Sequence, residues 1–491
     1  MTVAPEPVRT PLWRPMVTAL SKTGGASIAS GLLSALGTKI VAALLGPDWL
    51  ALLQTLQQLR DGALIVATAN GRMALVQGAS ELEGVRRREY LRTVASLFAA
   101  GTLLVALAML AAPGEFVRYS RLPHDSEGLL RWIAATVALL SVFVFLTAIL
   151  NVMREIGRLA LLQMVAPAAA AIAAWPVALA IRAGHPLAMG CLLVFPAAAS
   201  VSAGVSALRG HDRELLGWVK GIGRVWTNEA ARHFFSVSGA MLASGLAATV
   251  MLLAVRASIT RQESLAATGQ FDAAWNISMN HVTLILGSIQ AYYLPLLSAA
   301  RSPEERSRQI RGMMIVASLA TAPVIVALAA LKPAVVALLY SKAFVASPRF
   351  LRWTLIGDYL KVASWVLMTP MLAARDLGGF LSVDLLTQAV FWCAARLCSR
   401  VLAPSEGAAL GFLISYAFCF AACFAHGYLR RGFRMGAAGS ATFLSGLVFV
   451  VAVSASSWDL PSVDARAAAV WIAGSVAVSG GFGLYLRRRE P

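Results

Sequence analysis

The sequence is poor in the residues that soluble enzymes and metal proteins use. Only 13% of its 491 residues are charged and only six are histidine, whereas soluble domains carry about 25% charged residues. The five cysteines form no CxxC pair and all lie within apolar stretches, so we expect neither a metal site nor a disulfide. No nucleotide-binding motif is present, which argues against ATP hydrolysis by this chain and predicts no cofactor.

Apolar residues, by contrast, make up 58% of the chain, and the mean hydropathy is +0.71. They occur in stretches of about 20 residues, the length of a helix that crosses the ~30 Å hydrocarbon core of a bilayer. We therefore predict an all-α polytopic membrane protein with about fourteen transmembrane helices. The predicted spans are 24–45, 49–78, 91–112, 129–152, 159–181, 187–207, 234–257, 268–297, 313–331, 351–373, 379–402, 408–429, 438–456 and 467–486.

The formal net charge is +18, and the basic residues lie mainly in short loops on one side of the predicted spans. This is the positive-inside pattern of membrane proteins, and it predicts that both termini lie in the cytoplasm. The first fifteen residues fit a short cytoplasmic tail better than a cleavable signal peptide. The positive charge therefore predicts contact with anionic lipid head groups and no nucleic acid partner.

The loops on the predicted outer side are short, the longest being 113–128 and 332–350. Membrane polymerases, ligases and glycosyltransferases need a larger segment outside the membrane to carry acid and base groups. We therefore expect a protein that is not an enzyme, and we nominate no catalytic residue.

Two predicted spans carry a stripe of polar residues along one helix face. At about 100° per residue, the members of each stripe fall within about 40° of one line. Each stripe covers about 27 Å, close to the thickness of the hydrocarbon core. Such residues usually face a bundle interior or a watery cavity, so we predict a polar path through the membrane, as in a transporter. The stripes are Gln54, Gln58, Asp61, Thr68 and Arg72 in the second span, and Asp272, Asn276, Thr283 and Gln290 in the eighth.

Further ionisable residues lie within the spans and allow alternative interpretations. Lys39 either extends to the interface or faces the cavity as a cation. Arg256 and Asp272 either pair across an outer gate or lie independently at the interface. Asp358 and Lys361 are three residues apart on one helix, so they are predicted to form an ion pair, either structural or broken during transport.

The chain contains a weak internal repeat that places its halves in the same orientation. Ala29–Leu32 is echoed by Ala243–Leu246, and Val94–Leu97 is echoed by Val316–Leu319. Six spans separate the matching positions, so the halves are predicted to be parallel repeats. The predicted units are 1–207 (spans 1–6), an amphipathic cytoplasmic linker at 208–233, 234–429 (spans 7–12) and a two-span appendix at 430–491.

Four short motifs resemble those of the Wzx-type flippases of the multidrug/oligosaccharidyl-lipid/polysaccharide (MOP) exporter superfamily. These flippases move oligosaccharides linked to undecaprenyl diphosphate, such as O-antigen or enterobacterial common antigen units. The resemblance covers about residues 20–430 and does not extend clearly to spans 13 and 14. The motifs are Leu355–Val362 in span ten, Ala43–Pro47 after the first span, Tyr293–Ser298 at the end of the eighth, and Leu338–Phe344 before the tenth.

The resemblance implies a V-shaped pair of six-helix lobes in a bacterial inner membrane. It also implies a cationic central cavity that binds a polyprenyl-diphosphate-linked glycan and opens to each side in turn. Other polysaccharide-assembly proteins are expected partners. On this sequence the candidate cations are Lys39, Arg72 and Arg256, because Arg and Lys suit a diphosphate. Amides such as Gln54, Gln58, Asn276 and Gln290 suit a glycan.

Two other transport functions stay open at this point. A flippase for the lipid II precursor of peptidoglycan also commonly has fourteen spans, although the motif in span ten favours the Wzx type. A drug or cation antiporter of the same superfamily would require a mainly acidic cavity, whereas the stripes here mix both signs. Asp61, Asp272 and Asp358 are the carboxylates that we expect to couple transport to an ion.

Overall fold

The computed structural model describes residues 13–123, 126–209, 227–300, 302–457 and 464–489. Within these ranges the chain forms seventeen α-helices, one short 3-10 helix and no strand. The all-α prediction is thereby confirmed. Most of the predicted cytoplasmic linker, residues 210–226, falls outside the described residues.

Helices of the first half account for the first six predicted spans. The second span is divided between α2 and α3, and the short helix α5 lies in the predicted outer loop between spans three and four. The helices are α1 (Trp13–Leu45), α2 (Pro47–Ala67), α3 (Arg72–Glu81), α4 (Gly84–Ala111), α5 (Pro113–Ser120), α6 (Glu127–Val152), α7 (Ile156–Arg182), the 3-10 helix Pro186–Gly190, and α8 (Cys191–Ala207).

Helices of the second half account for the remaining eight predicted spans, with one short helix, α12, before span ten. They are α9 (Asn228–Gln262), α10 (Leu265–Ala299), α11 (Pro303–Ala330), α12 (Lys332–Leu339), α13 (Ser347–Ala373), α14 (Leu377–Cys398), α15 (Pro404–Arg431), α16 (Gly436–Ser456) and α17 (Ala465–Arg489).

Eleven of the described helices are long and apolar enough to cross a membrane. The other three of the fourteen predicted spans correspond to α2 with α3, to α10 and to α13. These are the segments on which the sequence places the two polar stripes and the pair Asp358 and Lys361. The count of about fourteen spans is therefore consistent with the structure.

Capping residues set several of the helix ends in the second half. The Ser264 hydroxyl accepts a hydrogen bond from the Ala267 amide at the start of α10. Ser302 accepts from the Glu305 amide at the start of α11, and Asp376 accepts from the Gly379 amide at the start of α14. Each satisfies an amide that has no partner within its helix. At the end of α15, Gly432 adopts φ 61°, a left-handed conformation that glycine reaches without a steric penalty.

The second predicted span is not one continuous helix, which corrects the stripe predicted for it. Helix α2 ends at Ala67, and Ala69 and Asn70 adopt left-handed φ angles of 48° and 47°. The Asn70 side chain donates a hydrogen bond of 2.8 Å to the carbonyl of Met241 on α9, which holds the turn against the second half. Because α3 starts after this turn at Arg72, Arg72 does not continue the line set by Gln54 and Gln58.

Each half packs mainly within itself. In the first half α1 packs on α7, and α8 packs on α6 and α7. In the second half α15 lies between α13 and α14, and α13 also packs on α10 and α11. The last two helices, α16 and α17, pack on α11. Contacts between the halves run mainly through α2 and α3 with α9, and through α1 and α2 with α10. The boundaries at 207 and 429 stay a prediction.

Candidate functional site

A cavity of about 270 Å³ lies where the two halves meet. Its walls come from α1, α2, α7 and α8 of the first half and from α10 and the end of α12 of the second. Gly37 permits the close approach of α1 to α7, since a Cβ at this position would lie 3.2 Å from the Ala171 Cα. Both halves therefore contribute walls to one polar space, which we call the central cavity.

The polar lining of the central cavity is uncharged. Ser34 and Thr38 are four residues apart on α1, Gln54 and Gln57 three apart on α2, and Asn276 and Asn280 four apart on α10; these spacings bring each pair to one helix face. The described lining contains no carboxylate, lysine or arginine. It can donate and accept neutral hydrogen bonds with hydroxyl-rich ligands. The polar residues are Ser34, Thr38, Gln54, Gln57, Asn276, Asn280 and Tyr340.

Beside the central cavity, Arg256 and Asp272 form a buried ion pair. The Arg256 Nε lies 2.7 Å from the Asp272 Oδ1, and the two side chains are 4% and 0% exposed. The Arg256 Nη1 also donates to the Gln58 side-chain oxygen at 3.2 Å and to the Gln54 carbonyl at 3.4 Å. The predicted contact between Arg256 and Asp272 is thus present, and it joins α9 and α10 to α2 of the other half.

The two halves touch closely at the predicted outer end, where α2 and α10 begin. A Cβ added at Gly269 would lie 2.0 Å from the Pro47 carbonyl oxygen, so only glycine fits there without a shift of one helix. Together with the Arg256 pair, this contact holds the two halves together at the predicted outer end of the central cavity.

The halves also touch at the predicted inner end, around the turn between α2 and α3. Asn70 bonds the Met241 carbonyl, and the His233 Nε2 lies 3.6 Å from a Glu81 carboxylate oxygen. A Cβ at Gly71 would lie 2.1 Å from the Phe234 ring. Contacts between the halves are therefore present on both sides of the central cavity.

The remaining predicted cavity residues are dispersed. Lys39 is half-buried and lies one residue from Thr38, outside the described lining of the central cavity. Asp61 is 52% exposed and pairs at 2.7 Å with its neighbour Arg60. Arg72 is exposed at the start of α3. Among the stripe residues whose side chains the structure describes, Gln54 and Asn276 line the central cavity and the others do not.

Three further stripe residues have different surroundings. Thr68 is buried and donates to the Leu64 carbonyl of its own helix at 2.8 Å. Thr283 is exposed on α10. Gln290 lies within α10, but its side chain falls outside the described part of the chain.

The predicted direct ion pair between Asp358 and Lys361 is not present among the described contacts, which corrects that prediction. The Asp358 carboxylate accepts a hydrogen bond of 2.8 Å from Ser278 and lies 3.4 Å from the His281 Nε2. The Lys361 Nζ instead lies over the rings of Phe412 and Tyr416. Asp358 is short and reaches α10, whereas the longer Lys361 side chain reaches α15.

Sequence reasoning missed one half-buried carboxylate, Asp384 on α14. Its Oδ2 accepts a hydrogen bond of 2.7 Å from Ser244 on α9. The signal was available, because Asp384 is the only acidic residue of the predicted span 379–402, and ionisable residues inside spans usually have a function or a partner. Gln57 and Asn280 of the central cavity were also missed.

Comparison of the structure with solved proteins gives a clear set of neighbours. A lipid II flippase, MurJ, in an inward closed conformation superposes with a TM-score of 0.71 at 12% identity, covering 95% of this chain and 98% of its own. An inward-facing multidrug resistance MATE transporter gives a TM-score of 0.68 at 15% identity, covering 87% and 96%. An outward-facing MATE transporter gives 0.59 at 16% identity, covering 92% and 100%.

The chain has the fold of the MOP superfamily. No protein-family model and no curated protein matches the sequence. At 12–16% identity the neighbours establish the fold alone, and all three are flippases or transporters. The MOP fold and a multi-pass membrane location are therefore established, and the transported substrate is a matter for proposal.

Proposed function

We propose that this protein is a flippase for an oligosaccharide linked to undecaprenyl diphosphate, such as an O-antigen-like repeat unit. It moves the lipid-linked glycan from the cytoplasmic to the outer leaflet by alternating access. The observation that carries the proposal is the central cavity, where the described residues of both halves of a transporter fold present uncharged hydrogen-bonding groups and no carboxylate.

The lining of the central cavity suits a glycan better than a cationic drug. Sugar hydroxyl groups both donate and accept hydrogen bonds, and the amides and hydroxyls of the protein can bind them in either direction. A cation buried in a membrane protein needs a carboxylate nearby to offset the cost of leaving water. The described lining offers amides at Gln54, Gln57, Asn276 and Asn280 but no acid.

The volume supports a mechanism in which the halves separate. A cavity of about 270 Å³ is smaller than the pockets of about 300–1,000 Å³ that bind small ligands. An oligosaccharide enters only when one end opens. The contacts at Gly269 and at Asn70 are the places where the halves would part in turn.

Cations for the diphosphate are the second requirement of the proposal. Lys39 and Arg72 have no ion-pair partner among the described residues, so their charges are free for a phosphate. Arg256 is held by Asp272 in this conformation. It can take part only in a state in which the predicted outer end is open.

The test is the fate of the lipid-linked glycan in cells depleted of the protein. Undecaprenyl-linked glycan should accumulate on the cytoplasmic leaflet, and the wild-type gene should reverse this. Asn276→Leu, Lys39→Ala and Arg72→Ala should restore export poorly. Asn151→Leu is the matched control for Asn276→Leu, because Asn151 is exposed at the end of α6, away from the central cavity.

Depletion without accumulation, accompanied by altered drug tolerance, would overturn the flippase in favour of an antiporter. If the glycan accumulates and every variant reverses this, the proposed flippase function would stand, but these residues would be rejected as its binding site.

Lipid II is a second candidate substrate, and a specific observation favours it. The superposition on the lipid II flippase covers 95% of this chain, which requires that at least part of α16 and α17 be matched. The same depletion experiment separates the two, because a lipid II flippase would cause accumulation of peptidoglycan precursor rather than of another glycan.

A further inference from the structure

Four arginines from three separate helices meet around one cavity of about 650 Å³ at the predicted outer end. Arg118 and Arg121 come from the end of α5, Arg261 from the last turn of α9 and Arg396 from the last turn of α14. All four are exposed. We call this the arginine cavity; it lies between the first half and the second, apart from the central cavity.

The charges in the arginine cavity are largely uncompensated. The described lining contains no carboxylate. Arg118 lies 3.3 Å from Glu115, a pair that is mostly exposed and therefore weak. Arg396 donates to the Ser258 hydroxyl at 3.3 Å, and its guanidinium lies over the Trp392 ring. Arg121 and Arg261 have no acidic partner among the described residues.

Helix ends explain single arginines here but not their convergence. A cation in the last turn of a helix is stabilised by the partial negative charge of that end. The same effect would stabilise an arginine at a helix end that points away from the others, so it does not explain why four arginines surround one cavity. Four guanidinium groups around one space repel one another, and a bound anion removes this cost. Guanidinium groups bind phosphate oxygens through two parallel hydrogen bonds.

Exposed apolar side chains lie next to the arginine cavity, which indicates what kind of anion fits. A second cavity of about 520 Å³ shares Trp392 and Arg396 with the first and adds Arg400 and Leu397. Leu397 is 62% exposed, and Val401 just beyond it is 88% exposed. A ligand with an anionic head and a hydrocarbon tail satisfies both surfaces at once.

We propose that the arginine cavity binds the phosphate head group of a lipid at the predicted outer surface of the membrane. The lipid tail lies along the exposed apolar residues at the end of α14. Two lipids share this chemistry, a polyprenyl diphosphate and an anionic phospholipid. The inference goes beyond the proposed function, because it concerns lipid binding outside the central cavity and does not require translocation.

The test measures lipid binding to the purified full-length protein by native mass spectrometry. One variant carries Arg118→Gln, Arg121→Gln, Arg261→Gln and Arg396→Gln. The control carries Arg131→Gln, Lys342→Gln, Arg349→Gln and Arg466→Gln, which remove the same charge from exposed positions at the same predicted end. Loss of charge-assisted hydrogen bonds to one phosphate should weaken binding by about tenfold or more, and only in the first variant.

The probes are a polyprenyl diphosphate, phosphatidylglycerol, and diacylglycerol as an uncharged lipid. Selective loss of the polyprenyl diphosphate would identify the carrier lipid as the ligand, and equal loss of both phosphate lipids would identify any phosphate-bearing lipid. Equal binding by the two variants, or an equal loss of diacylglycerol, would overturn the site. Since the readout is binding, a negative result leaves the flippase test above unaffected.

Discussion

The Arg256 guanidinium lies 2.7 Å from the Asp272 carboxylate and 3.2 Å from the Gln58 amide oxygen, so one buried cation joins the second half of the chain to the first. The Asp272 side chain is fully buried. A buried carboxylate is stable only while its cation and hydrogen bonds remain. The pair therefore stabilises the contact between the two halves at the predicted outer end.

Removal of the Arg256 cation should be costly unless its partner is removed too. Arg256→Met leaves the buried Asp272 unpaired and should lower the free energy of unfolding by about 3–5 kcal/mol. Arg256→Met combined with Asp272→Leu should recover most of this loss. Thermal unfolding in detergent measures both, and a double variant as unstable as the single one would contradict the buried pair.

Gly269 should control closure of the predicted outer end. In Gly269→Ala the new Cβ meets the Pro47 carbonyl at 2.0 Å, which forces α10 away from α2. Spin labels on exposed Asp48 and Lys342 should then report a longer or broader distance in a background without native cysteines. Gly287→Ala is the control on the same helix, since a Cβ there meets nothing within 4 Å. Identical distances in both variants would show that this contact does not limit closure.

Substitutions at two neighbouring residues in the turn between α2 and α3 should change the stability of the protein in opposite directions. Ala69 holds a left-handed φ of 48°, which costs a residue with a Cβ about 1–2 kcal/mol relative to glycine. Ala69→Gly should therefore stabilise the protein. Asn70→Ala should destabilise it, because it keeps the strain and loses the bond to Met241. Melting temperatures that move in the same direction would exclude this account.

Asp358 should couple more strongly to Ser278 than to Lys361. The Asp358 carboxylate accepts the Ser278 hydroxyl at 2.8 Å, while Lys361 lies over two aromatic rings. Double-mutant cycles with Asp358→Asn, Ser278→Ala and Lys361→Met measure the two couplings. We expect about 1 kcal/mol for the hydrogen-bonded pair and less for the other. The reverse order would restore the ion pair that the sequence predicts.

The positions of the spans could be predicted because each requires a run of about 20 apolar residues, a property of one segment alone. The break at Ala69 and Asn70 was missed, although Asn70 and Gly71 form a dipeptide that is typical of turns. The contact that holds the turn could not be predicted, because the Met241 carbonyl is 171 residues away in the sequence. A stripe drawn on an ideal helix therefore extended too far, to Arg72.

The candidate site was predicted in part for a similar reason. The stripe on each helix correctly included one cavity residue, Gln54 on α2 and Asn276 on α10. The cavity, however, is lined by a wider part of each helix surface than a single line of residues. Gln57 lies about 60° from Gln54 around the helix, and it also lines the cavity. The arginine cavity could not be predicted at all, since its residues come from three helix ends that are separated by more than a hundred residues.

Contacts at Gly269 and at Asn70 hold the halves together at both ends of the central cavity in one conformation. A transporter that passes through a state with both ends closed each time it changes sides does not form a continuous aqueous path across the bilayer. The ion gradients that the membrane maintains therefore survive each cycle, however large or slow the cargo. The cell can carry many copies of such a protein without losing membrane potential through them.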